Sequence, residues 1–127
     1  MEILDKVYRH LIEDDFIITH VKGRIKFYEY PETGDVTNPF IVLQPLDVPT
    51  PSTLADNTYL SYDFLLQVEV WSKDRKQTEQ IAKRVGNILW DIGFIQNGGI
   101  NEYDEKIYRD ARRYRGNLYR DDLDTIN

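Results

Sequence analysis

Between Ile107 and Arg120 the chain reads Ile-Tyr-Arg-Asp-Ala-Arg-Arg-Tyr-Arg-Gly-Asn-Leu-Tyr-Arg, placing five arginines and three tyrosines in one short segment. A guanidinium donates through a planar fork, and a phenol joins a broad apolar ring to a hydroxyl. Both side chains therefore anchor interfaces. Two chemistries suit such a segment: charge-matched contact with protein, and phosphate contact combined with base stacking. As a strand it splits by parity. Ile107, Arg109, Ala111, Arg113 and Arg115 share one face, while Tyr108, Asp110, Arg112, Tyr114, Gly116 and Leu118 share the other. Charge on both faces suits a sheet edge or a surface that meets another molecule. The candidate subunit or partner interface is therefore Tyr108, Arg109, Arg112, Arg113, Tyr114 and Arg115, with Trp71 as a further anchor. Local pairing with Glu102, Asp104, Glu105 and Asp121 is the competing explanation. It leaves arginines over, and each exposed pair contributes only about 0–1 kcal/mol.

Catalytic chemistry has no comparable foothold. The chain lacks cysteine, which excludes a disulfide framework, a thiolate zinc site and a cysteine nucleophile. His10 and His20 stand apart from any triad or metal-ligand pattern. The acidic groups Asp14-Asp15, Asp56 and Asp121-Asp122-Asp124 lack the ligand spacing of a calcium loop. Gly98-Gly99 lacks the Lys-Ser/Thr of a phosphate loop and reads as a turn. No catalytic, cofactor or metal residue is assigned, and no cofactor is expected. A formal net charge of −6 opposes general affinity for nucleic acid. Apolar runs are too short to span a bilayer, and the first residues lack a signal-peptide core.

The elements that would position the Arg/Tyr segment follow from periodicity. Ile3, Leu4, Val7, Tyr8, Leu11 and Ile12 predict a helix over residues 1–13. β-branched and aromatic residues dominate Phe16–Ile18 and Arg24–Tyr30, read as one strand region with Gly23 as a bend or turn within it, and Pro39–Leu46 predicts the next strand. Residues 47–57, with Pro49 and Pro51, read as a long loop. The clearest strand is Tyr59–Trp71, with Tyr62, Phe64, Leu66, Val68 and Val70 on one face. Its length predicts a bulge or an overhang. Ser72 is a plausible N-cap for a second helix that ends at Ile92 before Gly93, with Trp90 expected in the core. Phe94–Gln96 reads as a short strand, Asn97-Gly98-Gly99 as the hairpin turn, and 107–119 as the last strand. Residues 121–127 read as a frayed tail. The expectation is one α+β domain over 1–120, a mostly antiparallel sheet carrying two helices, in the order α-β-β-β-α-β-β.

Several of these segments together resemble the tail-completion and tail-terminator proteins, the head–tail joining proteins of long-tailed bacteriophages. The resemblance rests on the N-terminal helix, Asn38-Pro39-Phe40-Ile41-Val42-Leu43, the strand ending Gln67-Val68-Glu69-Val70-Trp71-Ser72, the helix Thr78-Glu79-Gln80-Ile81-Ala82-Lys83-Arg84-Val85, and Tyr108-Arg109-Asp110-Ala111-Arg112-Arg113-Tyr114.

This resemblance implies a structural virion protein rather than an enzyme, located at the head–tail junction and in the host cytoplasm during assembly. Such a protein forms a ring with copies of itself, often a hexamer. It caps the tail tube and meets the tail tube protein on one side and the head-completion or connector protein on the other. DNA is a partner only in passage through the lumen, and no membrane is involved. On this resemblance Pro49, Pro51, Leu54 and Asp56 become the lumen or partner-facing loop. The edges made by strands 59–71 and 107–119 become subunit contacts. The alternative is a nucleic-acid-binding module built on the Arg/Tyr strand.

Overall fold

In a computed structural model, which describes residues 2–120, the first amphipathic stripe forms α1 (Ile3–Ile12). Glu2 caps it, its carboxylate accepting the Leu4 N–H at 3.0 Å. Phe16–Ile18, expected as a strand, instead belongs to a second helix, α2 (Asp15–Val21). Asp14 accepts the Ile17 N–H at 3.0 Å and so starts a new helix directly after α1. Ile17 and Val21, four residues apart, then bury on one side. Three β-favouring residues without a pairing partner do not outweigh that cap.

The remaining helix, α3 (Arg75–Asp91), buries Ile81, Ala82, Val85 and Leu89. Its N-cap is Asp74, which accepts the Gln77 N–H at 3.0 Å. Ser72, the expected cap, sits two residues earlier and accepts the Asp74 N–H at 2.9 Å. Gly93, at φ +99°, supplies the left-handed exit that the sequence predicted. Trp90 departs from expectation. It follows Leu89 by one residue, about 100° round the helix, and is 65% exposed rather than in the core.

Among the described residues the strands are β1 (Ile25–Phe27), β2 (Phe40–Pro45), β3 (Thr50–Ala55), β4 (Thr58–Ser72), β5 (Phe94–Asp104) and β6 (Ile107–Tyr119). The sheet order is β1-β2-β4-β6-β5, with β1 parallel to β2 and the other pairs antiparallel. The α+β class and mostly antiparallel sheet match expectation. The order of elements gains one helix and one strand.

That strand lies inside the expected 47–57 loop. Pro51 is tolerated in β3 because, among the described residues, β3 pairs only with β4, leaving its other edge without a ladder. Asp56 and Asn57, at φ 50° and 62°, form a tight hairpin turn. The length of β4 is explained by divided pairing: Leu66–Trp71 meets β2 and Thr58–Asp63 meets β3. At the other hairpin Asn97-Gly98-Gly99 is not the turn. It is a bulge within β5, where the register shifts between Gln96 and Gly99. A Cβ on Gly99 would lie 2.6 Å from the Ala111 carbonyl oxygen, so the two backbones approach as only glycine permits. The turn is Glu105-Lys106, both with positive φ.

The expected edge position of strands 59–71 and 107–119 is overturned. β4 and β6 pair from Ser61↔Tyr119 to Ser72↔Tyr108 and occupy the middle of the sheet. The parity assignment is retained. Phe64, Leu66, Val68 and Val70 of β4 join Tyr114 and Leu118 of β6 beneath the helices, with Ile41 and Leu43 of β2. The opposite face, carrying Trp71, Glu69, Arg109, Arg113 and Arg115, is covered by no helix among the described residues. The expected tail, 121–127, lies outside the described residues.

Candidate interaction surface

The uncovered face begins as a stack of aromatic rings set by register. Phe40 lies opposite Trp71, which lies opposite Arg109. Tyr30 stacks on Phe40 at 3.9 Å, Phe40 on Trp71 at 5.7 Å, and the Arg109 guanidinium lies 5.4 Å from the Trp71 ring centre. Glu69, one pleat along β4, is 7% exposed and accepts from Arg109 Nε at 2.5 Å and Gln44 Nε2 at 3.2 Å. Arg109 also bonds Glu102 on β5. Burial works against the charge of Arg109, but the two carboxylates outweigh it and raise its pKa. Arg109 thus clamps three strands. The Trp71 indole N–H is buried without an acceptor among the described residues, and the ring is half-buried under this cluster.

Further along the same face Arg113 and Arg115 stand opposite Gln67 and Leu65, exposed, with no carboxylate bound to either among the described residues. Two β5 side chains flank this strip: Ile95, opposite Arg115, and Ile100, opposite Ala111, exposed at 57% and 51%. The result is a shallow strip of cations bordered by aliphatic surface on a rigid central strand.

The other predicted anchors point the opposite way. Asp110, 5% exposed, accepts from Arg112 Nε at 2.8 Å and Nη2 at 3.1 Å. Burial lowers and this carboxylate raises the Arg112 pKa, with a net increase. Tyr114 is 1% exposed beneath α3. Burial pushes its phenol up to about 12, and its hydroxyl would sit 3.3 Å from a Cβ on Gly86. Tyr108 is half-buried, its ring 4.6 Å from that of Tyr103. Of the predicted interface residues, Arg113 and Arg115 are therefore the free cations. Arg109 and Trp71 form the intramolecular cluster, and Arg112, Tyr108 and Tyr114 serve the helix side.

The predicted loop residues divide as well. Leu54, 83% exposed, and Asp56 form the tip of the β3–β4 hairpin, Pro51 lies within β3, and Pro49 precedes it. Sequence reasoning placed Ile95 in a short strand without assigning it to the surface, and missed Ile100 because the glycines at 98 and 99 hid the continuation of that strand. It missed the exposure of Trp90 because an aromatic beside a helical stripe was assigned to that stripe. His10 and His20 bond carbonyls four residues back within their own helices, at 2.9 Å each. Among the described residues no group of His and acidic side chains is poised to hold a metal, and no helix is long and apolar enough to cross a membrane.

No family model matches this chain, and no curated protein matches its sequence. Its fold does match a solved structure. A chain described as belonging to the virion of a native gene transfer agent particle superposes at a TM-score of 0.65. The match covers 89% of this chain and 91% of that one, at 13% identity. The likeness is therefore one of fold, and it spans the helices and the sheet rather than a fragment.

Proposed function

We propose that this chain is a non-enzymatic structural protein of a phage-like particle, one α+β unit that caps the tail tube and joins tail to head as a ring of identical copies. The observation that carries the reading is the fold shared with a virion chain over about nine-tenths of both molecules. The sequence resemblance to tail-completion proteins points the same way. So does a surface whose free cations and exposed aliphatics lie on a rigid sheet face rather than in a catalytic cleft. On this reading the tail tube protein and the head-completion protein are its partners. The chain sits at the head–tail junction of the virion, and DNA passes without being gripped, in keeping with a net charge of −6.

The base-stacking alternative loses support from the aromatic side chains. Tyr114 is buried, Tyr108 packs on Tyr103, and Trp71 lies under Arg109. Tyr119 is the tyrosine of β6 left open on the face of Arg113 and Arg115, at 57% exposure, and one ring does not make a platform for successive bases. Electron microscopy of particles produced without this chain tests the proposal. Separate heads and tails, or tails of uncontrolled length, are expected. Normal joined particles would overturn it.

A further inference from the structure

An apolar cavity of about 480 Å³ opens between the start of α1 and the β2–β3 bend, lined by Ile3, Tyr28, Val48, Tyr62, Phe64 and Leu66. Glu2 and Asp47 stand at its rim. Val48 and Tyr28 are 75% and 63% exposed, so an apolar side chain entering here would remove them from water. The volume lies within the range, roughly 300–1,000 Å³, of sites that enclose drug-sized groups, ample by volume for an indole.

The same molecule carries an unaccommodated indole. Trp90 is 65% exposed near the end of α3. Residues four and seven apart share a helix side, so Trp90 lies in line with Gly86 and Lys83, and Lys76 continues the line one heptad earlier. Lys76 and Lys83 are exposed. Glu79, which falls on the same side, adds to the charge field at Arg112 and lines a cavity with it and Asp110. The Trp90 line therefore presents an aromatic group backed by lysines.

Position makes these two features complementary. Gly86 lies over Tyr114 of β6, which places the Trp90 line on the β6–β5 flank of α3. Arg84 turns to the other flank and binds Asp14 at the α1–α2 junction. The cavity, against α1 and β2, lies beyond that second flank. Trp90 cannot fill the cavity of its own chain, but a copy alongside can. The two features also share a level along the strands, because Phe94, four residues after Trp90, and Phe64 of the cavity both pair with Gly116.

We infer that Trp90 of one copy seats in the Tyr28–Val48–Phe64 cavity of the next, with Lys83, two turns from Trp90, toward the Glu2 and Asp47 rim. The occupant is a second copy of this chain. The contact is heterologous and leaves a free Trp90 at one end of a row and a free cavity at the other, which is the geometry that closes into a ring. The inference rests on the ring reading above and names its interface.

The absence of cysteine allows a clean test. A chain carrying Asn87→Cys, one turn from Trp90, and Val48→Cys, at the cavity wall, is treated with a short bis-maleimide, both as concentrated purified protein and within particles. A ladder beyond dimer is expected, and dimer alone when the two substitutions are on separate chains that are mixed. Adding Trp90→Ala should reduce the ladder at least tenfold with an unchanged melting curve, and Trp90→Phe should restore part of it. No ladder from protein that is present in joined particles would overturn the contact while leaving the ring reading standing. Joined particles that form without the chain would remove that reading independently. A ladder unaffected by Trp90→Ala would also overturn the inference.

Discussion

Arg112, Arg113 and Arg115 are near neighbours on one strand, yet their replacement by alanine should give opposite outcomes. Arg112 holds the Asp110 carboxylate through two hydrogen bonds, and Asp110 is 5% exposed. Removing one member of a fully buried pair costs about 3–5 kcal/mol. The Arg112 side chain is 25% exposed, and the cavity beside it admits water and contains Arg75, so about 2–3 kcal/mol is the better expectation for Arg112→Ala. For a chain of 127 residues, an unfolding entropy of about 0.27 kcal mol⁻¹ K⁻¹ converts this into a fall in Tm of roughly 7–11 °C. Arg113→Ala with Arg115→Ala removes two exposed cations that hold no carboxylate, so stability should stay within about 0.5 kcal/mol of the parent. On the proposed function, that double variant should assemble poorly. Differential scanning calorimetry and urea titration supply the first readout, and incorporation into joined particles the second. Adding Asp110→Ala to Arg112→Ala should recover part of the loss, because no charge is then left buried. A stable Arg112→Ala protein, or a double variant that loses more than about 1.5 kcal/mol, would refute the separation of structural from free arginines.

Two further outcomes follow from local geometry. Hydrogen bonds from Arg84 hold the Asp14 carboxyl below its usual 3.8, against a smaller opposing effect of burial. A depressed carboxyl contributes stability that is present above the unfolded value, about 3.9, and is lost as pH falls through the lower folded value. Asp14→Asn keeps a capping acceptor for Ile17 but not the ion pair. Its deficit relative to the parent, followed by denaturant titration from about pH 6 to about pH 2, should shrink in the acid range and should also shrink with added salt. A deficit independent of pH would contradict the assignment. Lys106, at φ 67° in the β5–β6 turn, stands where glycine is favoured. Left-handed backbone costs a non-glycine residue about 1–2 kcal/mol, and glycine returns about 0.5–1 kcal/mol of that through unfolded-chain entropy. Lys106→Gly should therefore raise stability by about 0.5–1 kcal/mol, read as a higher urea midpoint, and an unchanged or lower midpoint would speak against it.

Periodicity carried the sequence reading wherever an apolar stripe was long enough to dictate a face. α1, α3 and the inward residues of β4 were legible because burial enforces a period on them. Failures fell where a short-range signal competed with pairing that sequence does not display. Phe16–Ile18 has β-favouring side chains, yet the Asp14 cap decides its state. Thr50–Ala55 contains a proline, yet an outer strand tolerates it. Gly98-Gly99 has turn composition, yet long-range pairing with β6 uses it as a bulge. The alternating faces of β6 were legible, but its neighbours were not. Strand order depends on which hairpins close, and the Glu105-Lys106 turn carries neither Asn nor Gly to announce itself. For the candidate surface, residue type singles out the segment as a proposal. Only register with β4 divides its cations into bound and free.

The central position of β6 changes what an interface on it can be. An edge strand recruits partners through its free backbone groups, and the edges here are poorly suited to that. β1 spans three residues, β3 carries Pro51, and β5 is interrupted by its bulge. Arg113 and Arg115 instead project from a strand paired on both sides, so binding them requires no ordering of backbone, and less conformational entropy is lost on contact. A partner must then meet the uncovered face broadside, while the Trp90 line and the α1 cavity lie on the flanks of the helix layer. A ring subunit at a junction has two demands, like copies beside it and unlike proteins above and below. On the ring proposal, the inferred pairing of the flanks and a separate, preorganised basic face meet those demands without competing for the same residues.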